Sequence, residues 1–427
     1  MWRGVVAVAA CAAVLGTGAA AWGWQGGALL EARAAGALTS IRAKIEAEGG
    51  VFRHGVPSAD PWRLRVAIPS PEAAAADGSS LRAERLLVSL APWDGALGIR
   101  LEEVSGTAEG VGLRARALGG RPSLSWSDMV VLDAWASDLR IEDARASGRR
   151  AVLSATSARA DRLSRAGGAE GVVAEGVRVE QPFDRHQWGR AVSVGRIEAT
   201  RLGGKGPWIG TFRITAREVG LRGDGGEIAA ALIRLEGTLD PARSEGLLSV
   251  EKGRLPPSGA GRPERFAIGS SWRQEGQGLE MGIDVTLEGM AAARASVALR
   301  DLPSTSGVSS DPQDRLEAAL AFSETTLASA SLEIQDLGGL PDWLSAEGGG
   351  LRRWAETEGR GAARGMPEAD RAVRSVVADF VRAPGGRTLV ISATPPQPLT
   401  MDDLGRRGLF LLLGAGAGPL GLAAQVR

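Results

Sequence analysis

Residues 283–287 read Ile-Asp-Val-Thr-Leu, and this stretch sets the pattern for most of the chain. Its apolar residues Ile283, Val285 and Leu287 are separated by single polar residues. Because the side chains of a β-strand point alternately to opposite faces, this pattern predicts a strand with one buried and one wet face. Such strands are typical of an antiparallel sheet.

The same alternation recurs in short segments between residues 51 and 335. It appears at Trp62/Leu64/Val66/Ile68, Leu97/Ile99/Leu101, Leu139/Ile141, Val177/Val179, Val192/Val194, Phe212/Ile214/Ala216, Ile233/Leu235 and Leu332/Ile334. Turn signals such as Gly119-Gly120 and Gly276-Gln277-Gly278 separate the segments, and Gly and Asp must supply positive φ because the chain has no Asn. We therefore predict a mainly β fold built on a large antiparallel sheet, without alternating β-α-β units.

The charged residues of the chain are balanced. Lys and Arg number 50, Asp and Glu number 50, and the formal net charge is +0. A nucleic-acid-binding protein needs a basic surplus to neutralise phosphates, so this balance excludes a nucleic-acid partner. Pairs such as Arg178/Glu180, Arg196/Glu198 and Arg234/Glu236 lie on the predicted wet faces. Opposite charges on neighbouring strands contribute about 0.2–1 kcal/mol each, which gives these residues a structural role.

The N-terminus contains a long uncharged segment. No charged side chain occurs from Gly4 to Trp24, and Arg3 precedes the segment. A helix needs about 20 apolar residues to cross the hydrocarbon core, and Trp22 and Trp24 lie where an interfacial aromatic belt would be. Because a three-residue leader normally stays in the cytoplasm, we predict a single-pass transmembrane anchor with the rest of the chain across the membrane.

Two processing alternatives remain open for this segment. The triplet Ala19-Ala20-Ala21 resembles a small-residue cleavage site, which would make the segment a removable signal peptide. Val8-Ala9-Ala10-Cys11 resembles a lipoprotein cleavage box, although the apolar stretch ahead of it is very short. All three interpretations place the body of the chain outside the cytoplasm.

Helical periodicity flanks the predicted sheet on both sides. Leu30, Ala34, Leu38, Ile41 and Ile45 lie on one face of a predicted helix that ends at Gly49-Gly50. Near the C-terminus we predict a helix from Glu368 to Arg382, a strand from Thr388 to Ala393 and a short helix from Met401 to Leu413. The predicted organisation is an anchor at 1–25, an amphipathic helix at 26–48, an antiparallel β-rich body at 49–338 and a small α/β C-terminal region at 339–427.

Residues that could carry a reaction are scarce. Cys11 is the single cysteine, and the two histidines, His54 and His186, have no metal-binding spacing. His186 is flanked by charge, but no nucleophile is placed beside it, and an envelope hydrolase would depend on that histidine alone. The G-x-G-x-x-G match at residues 416–421 lacks the acidic residue that must follow it. We predict no catalytic residue, no cofactor and no metal, and not an enzyme.

The stretch from Val377 to Leu404 combines a helix ending at Asp379-Phe380, Gly385-Gly386, a strand, and Pro395-Pro396. With the anchor and the glycine-rich β body, this order resembles the bacterial domain-of-unknown-function 2125 family. That resemblance implies a protein of the inner membrane with its bulk in the periplasm. The layout resembles more distantly the AsmA-like superfamily, which implies a large curved antiparallel sheet, a groove with an apolar lining and a role in lipid traffic.

These observations predict an inner-membrane-anchored periplasmic protein with a β-groove, involved in lipid handling or envelope homeostasis. The expected partners are the lipid bilayer and a phospholipid. The candidate apolar residues of the groove are Leu64, Val66, Ile99, Leu101, Phe212 and Ile214. The alternative for these residues is a closed core. The alternative function is an anchored scaffold that binds another envelope protein through a sheet edge, without lipid transport.

Overall fold

The chain is mainly β-strand, and its strands pair antiparallel, as predicted. A computed structural model describes residues 27–90, 97–108, 110–122, 130–143, 151–164, 168–180, 191–202, 210–223, 226–240, 243–256, 264–302, 322–346, 348–358, 367–404 and 417–427. Backbone contacts divide the chain into two compact units. The first unit comprises Met1–Gly206 and Ile214–Gly226, and the second comprises Pro207–Arg213 and Glu227–Arg427.

The first unit combines one helix with short and then long strands. Its elements are α1 (Gly27–Ala47), β1 (Val51–Arg53), β2 (Ser58–Asp60), β3 (Arg65–Pro69), β4 (Glu72–Ala74), β5 (Ser80–Arg82), β6 (Arg85–Leu90), β7 (Leu97–Ala108), β8 (Val111–Pro122), β9 (Val130–Asp143), β10 (Ala151–Ser164), β11 (Gly168–Glu180), β12 (Ala191–Leu202) and β13 (Gly210–Gly223), of which residues 214–223 belong here. From β7 to β13 each strand pairs with the next strand in the sequence.

Helix α1 covers one face of the short strands. Its residues Ala34, Leu38 and Ile41 are buried in one cluster with side chains of β3, β6 and β7, and Leu30 and Ile45 pack against that cluster. These five residues are the predicted apolar face, which is confirmed. The helix ends at Ala47 and the chain turns at Gly49, whose φ of 77° suits glycine.

The predicted strand from Trp62 to Ile68 is wrong in its first half. Pro61–Arg63 forms a single 3₁₀ turn, in which the Asp60 carboxylate accepts a hydrogen bond from the Arg63 N–H at 3.2 Å. Leu64 follows in the left-handed region with φ 47°, and β3 begins only at Arg65. The cause is local, because Pro61 fixes its own φ for the first position of the turn and Asp60 caps it.

The predicted turn at Gly119-Gly120 is also wrong, because both glycines lie inside β8. Gly119 is paired with Trp135 of the neighbouring strand β9, and a Cβ atom at position 119 would overlap the Trp135 ring. Glycine is needed here for a close approach between strands and not for a turn. The turn at Gly276-Gln277, in contrast, does connect two strands.

The second unit continues the antiparallel pairing and adds helices near its C-terminus. Its strands are β14 (Gly226–Leu239), β15 (Arg243–Arg254), β16 (Arg265–Glu275), β17 (Gly278–Leu287), β18 (Ala291–Arg300), β19 (Thr326–Asp336), β20 (Thr388–Ala393), β21 (Leu399–Thr400) and β22 (Leu422–Val426). Its helices are α2 (Leu340–Ala346), α3 (Gly349–Glu358), α4 (Glu368–Arg382) and α5 (Ala417–Leu420). The predicted helix at 368–382 and the predicted strand at 388–393 are confirmed at both ends. Residues 401–404 are helical, and the rest of the predicted Met401–Leu413 helix lies outside the described residues.

Arginine and glutamate side chains pair on the polar faces of the strands. Arg178 bonds Glu180 at 3.0 Å, and Arg196 bonds both Glu198 at 2.7 Å and Glu175 of the adjacent strand at 3.0 Å. These pairs are largely exposed, so each adds little stability. Opposite charges are thus paired on the solvent-exposed face of these strands, as the sequence predicts.

No helix in the part of the chain that the structure describes is long and apolar enough to cross a membrane. That part begins at Gly27, and the predicted anchor from Gly4 to Trp24 precedes it.

Candidate functional site

Directly paired residues form apolar rows across the sheet of the second unit. One row crosses β14, β15, β16, β17, β18, β19, β20 and β22 and reads Ile233, Val250, Ile268, Val285, Ala293, Ile334, Leu389 and Val426. The next row on the same face reads Leu235, Leu248, Ser270, Ile283, Ala295, Leu332, Ile391 and Ala424. Paired residues point to the same face, so this face of the sheet is apolar over its whole width.

The opposite face of the same strands is polar. The row between the two apolar rows reads Arg234, Ser249, Gly269, Asp284, Arg294, Glu333, Val390 and Gln425. On this face the Arg294 guanidinium donates a hydrogen bond to the Asp284 carboxylate at 2.5 Å. The two faces therefore differ in chemistry: one carries charged side chains that suit contact with water, and the other carries apolar side chains that favour burial.

Two described clusters cover parts of the apolar face. Leu299 of β18 is buried with Leu302, Leu327, Leu399 and Leu420, and Leu279 of β17 and Val297 of β18 pack against this cluster. Helices cover a second part. Leu340 and Leu344 of α2 and Phe380 of α4 form a buried cluster with Leu389, and Ile334 packs against it. All the strand residues of this cluster lie on β19, β20 and β22. This part of the apolar face is therefore an ordinary core.

The part of the apolar face on β14 to β18 that no described segment covers is the candidate site, and we call it the open face. Its larger side chains are Ile233, Leu235, Leu248, Val250, Phe266, Ile268, Trp272, Met281, Ile283, Val285 and Leu287. None of them is buried, and Met281 and Ile283 are each 42 % exposed. With strands about 4.8 Å apart and a rise of about 3.4 Å per residue, the open face covers roughly 400 Å². The largest apolar patch on a typical monomer is about 300–600 Å² and is often functional, which makes the open face a candidate binding site.

An aromatic pair lies at the β13 side of the open face. The Phe212 and Trp272 rings are stacked, with their centroids 6.5 Å apart. The Trp272 ring lies over Gly246, where a Cβ atom would overlap it. Glycine at this position lets the ring lie flat on the strand, so that it presents a broad apolar surface.

Asp336, at the end of β19, connects the sheet to the helices that cover part of its apolar face. Asp336 is 3 % exposed, and its carboxylate accepts hydrogen bonds from the N–H groups of Gly338 at 2.9 Å, Leu340 at 3.2 Å and Gly386 at 2.8 Å. Burial raises the pKa of this carboxyl, but the three hydrogen bonds outweigh it, and the pKa lies below its usual value. The charged side chain thus ties the start of α2 and the turn after α4 to the end of β19.

Three of the six predicted groove residues come together, but in a buried core of the first unit. Val66, Ile99 and Leu101 are buried in the first unit under α1, so they are core residues there. Leu64 is half-buried after the 3₁₀ turn, and Ile214 is half-buried and paired with Ala199 in the first unit. Phe212 is the one of the six that lies beside the open face, through its contact with Trp272.

Other candidate sites offer less. The Nδ1 atom of His54 is 2.7 Å from the Gly55 carbonyl oxygen, and His186 lies outside the described residues. The described ranges contain no group of side chains that could hold a metal ion. A cavity of about 560 Å³ on β9 and β10 of the first unit is lined by apolar side chains such as Trp135, Ala136 and Ala160 and by the charged side chains of Asp133, Arg159 and Asp161.

The residues of the open face carry the same alternation as the buried strands of the first unit. Ile283, Val285 and Leu287 read in the sequence like Leu97, Ile99 and Leu101, so the sequence alone does not separate them. What separates them, in the part of the chain that the structure describes, is helix α1, which covers the strands of the first unit. Comparison of the chain with protein families and with curated proteins finds no match.

Proposed function

We propose that this chain is a lipid-handling protein of the bacterial cell envelope that holds acyl chains on the open face. The observation that carries the proposal is a continuous apolar surface whose residues Met281 and Ile283 remain exposed, on a sheet whose other face is charged. A flat apolar face with few polar atoms suits a ligand that is itself a flexible hydrocarbon. We also propose that the ligand is a phospholipid or another molecule with acyl chains.

The proposed location rests on the N-terminal sequence. A membrane anchor from Gly4 to Trp24 would end just before α1, which begins at Gly27. Helix α1 packs its apolar face on the first unit, so an anchor of this kind would keep that unit at the membrane surface. On this proposal the anchor crosses the inner membrane once and the sheet lies in the periplasm, where lipids must pass through water.

In this role the open face shields acyl chains from water and does not bind them tightly. Each acyl methylene gains about 0.8 kcal/mol when it leaves water for an apolar surface. The interior of a bilayer offers the same gain, so a lipid has little preference between the bilayer and the open face. The open face would therefore lower the barrier to transfer between membranes, and the expected effect of the protein is on a rate.

A lipid-transfer assay tests this proposal. The full chain is reconstituted into vesicles that contain a self-quenched fluorescent phospholipid, and the increase of fluorescence reports transfer to unlabelled acceptor vesicles. We expect faster transfer than in protein-free vesicles. In the Ile283→Glu variant we expect the protein-dependent part of the transfer rate to fall at least tenfold. The reason is that a carboxylate under an acyl chain loses its hydration, which costs more than the roughly 1.4 kcal/mol that corresponds to tenfold.

The matched control is Leu247→Glu. Leu247 is 54 % exposed, so it is at least as accessible as Ile283, but it is paired with Glu236 and Ser271 on the polar face. The same substitution there should leave the transfer rate unchanged. Equal rates for the two variants, or no protein-dependent transfer, would contradict the proposal.

A second candidate function, an anchored scaffold for another protein, is favoured by one separate observation. Strand β22 presents an unpaired edge among the described residues. A scaffold of this kind would leave lipid transfer at the protein-free rate and would depend on that edge.

A further inference from the structure

The pairing between β9 and β10 of the first unit is interrupted at two positions. Along these two described strands, direct pairs are missing where Asp133 and Asp138 of β9 stand. Both residues have a left-handed backbone, with φ of 47° and 48°. Residues other than glycine rarely adopt this conformation, and those that do are concentrated at binding and catalytic sites. The segment between the two aspartates is therefore a candidate for a binding role.

A cavity of about 560 Å³ lies at this segment, and we call it the β9–β10 cavity. Its lining residues lie between Asp133 and Ser137 on β9 and between Ser157 and Asp161 on β10, all within the first unit. Alanines occupy three of the lining positions and leave room above the strands. Ligand sites have volumes of about 300–1,000 Å³, so the cavity can accommodate a small molecule.

The Trp135 side chain supplies the cavity with an aromatic ring in a fixed position. The ring lies over Gly119 of β8, where a Cβ atom would overlap it, and the Arg100 guanidinium carbon is 5.7 Å from the ring centroid. The close approach to glycine and the contact with the arginine both hold the ring in place. Trp135 is half-buried, so part of its ring remains accessible to a ligand in the cavity.

Two charged side chains of the cavity, Arg159 and Asp161, form no hydrogen bond or ion pair with any residue that the structure describes. Elsewhere in the sheet an arginine and an acid two positions apart do bond, as Arg196 and Glu198 do at 2.7 Å. Aspartate is one methylene shorter than glutamate, and the Asp161 carboxylate lies over Gly171 of β11, where a Cβ atom would overlap it. The cavity therefore offers one free group of donors and one free acceptor, both exposed.

The chemistry of this lining favours an uncharged ligand with several hydroxyl groups. An acyl chain would remove water from Arg159 and Asp161 without replacing their hydrogen bonds. An anion would meet the Asp161 carboxylate, a cation would meet the Arg159 guanidinium, and a zwitterion would gain little from charges as exposed as these. Neighbouring hydroxyl groups suit both side chains, because each hydroxyl can accept from the guanidinium or donate to the carboxylate.

We propose that the β9–β10 cavity binds a pyranose sugar of a neutral glycan. The apolar C–H face of the sugar ring packs against Trp135, and its hydroxyl groups bond Arg159 and Asp161. Ser137, which is paired with Ser157 at the other end of the cavity, offers a further hydroxyl. The inference rests on the first unit alone and does not depend on lipid binding to the open face.

An array of immobilised oligosaccharides tests the proposal. The array carries neutral hexose and N-acetylhexosamine oligosaccharides beside acidic ones, and it is probed with fluorescent vesicles that carry many copies of the full chain, because multivalent display makes weak binding detectable. We expect binding above that of protein-free vesicles for at least one neutral glycan. Isothermal titration calorimetry of the full chain in detergent then gives the association constant for that glycan.

Substitutions in and beside the cavity make the test specific. Arg159→Gln should lower the association constant at least tenfold, because it removes the charged donor. The matched control Arg162→Gln changes an exposed arginine of the same strand that does not line the cavity, and it should leave the constant unchanged. Trp135→Ala should abolish binding and Trp135→Phe should retain part of it, with circular dichroism as the check that both variants are folded.

Three results would overturn the proposal. The first is no binding of the full chain to any neutral glycan, and the second is binding to acidic glycans alone. The third is an equal effect of Arg159→Gln and Arg162→Gln on the association constant.

Discussion

Replacing Asp336 by alanine tests how the C-terminal helices are held on the sheet. The carboxylate accepts three backbone hydrogen bonds, and one of them comes from Leu340, which is itself buried. Hydrogen bonds to a charged group contribute about 1.5–3 kcal/mol, and a buried donor left without a partner costs about 1–3 kcal/mol. Gly338 and Gly386 are exposed, so water replaces the carboxylate at those two positions. We therefore expect Asp336→Ala to lower the free energy of unfolding by about 3 kcal/mol.

The assay is thermal unfolding of the full chain, followed by circular dichroism. A loss of 1 kcal/mol lowers Tm by about 2–4 °C in a unit of this size, so the expected decrease is roughly 6–12 °C. The control is Asp342→Ala, in the first turn of the same helix, where the side chain is exposed and contributes only a few tenths of a kcal/mol through the helix dipole. Equal decreases for the two variants would refute the reasoning.

The pH dependence provides a second check on the same residue. The pKa of Asp336 is lower in the folded chain than its usual value, so its carboxylate stabilises the fold fully above about pH 4 and progressively less as the pH falls through the folded pKa. The difference in unfolding free energy between the unmodified chain and Asp336→Asn should therefore shrink below about pH 4. A difference that stays constant down to pH 2 would contradict a role for the charged form.

Two further predictions concern packing. Leu38 of α1 is fully buried, so Leu38→Ala should lower the free energy of unfolding of the first unit by about 2–5 kcal/mol. The control Thr39→Ala, on the exposed side of the helix, should change it by less than about 1 kcal/mol. Chemical denaturation measures both values. Gly246→Ala places a Cβ atom in the Trp272 ring, and we expect a loss of about 1–3 kcal/mol and a changed near-ultraviolet circular dichroism spectrum. Gly269→Ala, where the nearest atom is 3.8 Å away, should leave the spectrum unchanged, and the same change in both variants would count against the packing argument.

Elements with local signals could be predicted from the sequence. Helix α4 begins after Pro367 and is followed by Pro384-Gly385-Gly386, and these residues locate its ends in the sequence. The apolar face of α1 follows from its helical period alone. In contrast, the 3₁₀ turn at Pro61–Arg63 interrupts an alternation that looks continuous, because one capping carboxylate and one proline outweigh the pattern there.

The candidate site could not be located from the sequence, because it depends on which strands a helix covers. Ile99 and Ile283 both stand in alternating strands, yet one is buried under α1 and the other is 42 % exposed. That difference arises from contacts between residues far apart in the sequence. The pairing register adds the second requirement, since only the alignment of the strands shows that Val250, Ile268 and Val285 form one row.

The most direct test of acyl-chain binding to the open face is photo-crosslinking. The full chain is reconstituted in vesicles that contain a phospholipid with a diazirine in its acyl chain, irradiated and digested, and the labelled residues are identified by mass spectrometry. We expect labels on β16 and β17, at or beside Met281 and Ile283, and their loss in the Ile283→Glu variant but not in Leu247→Glu. Labels confined to residues outside β14–β18 would contradict this expectation.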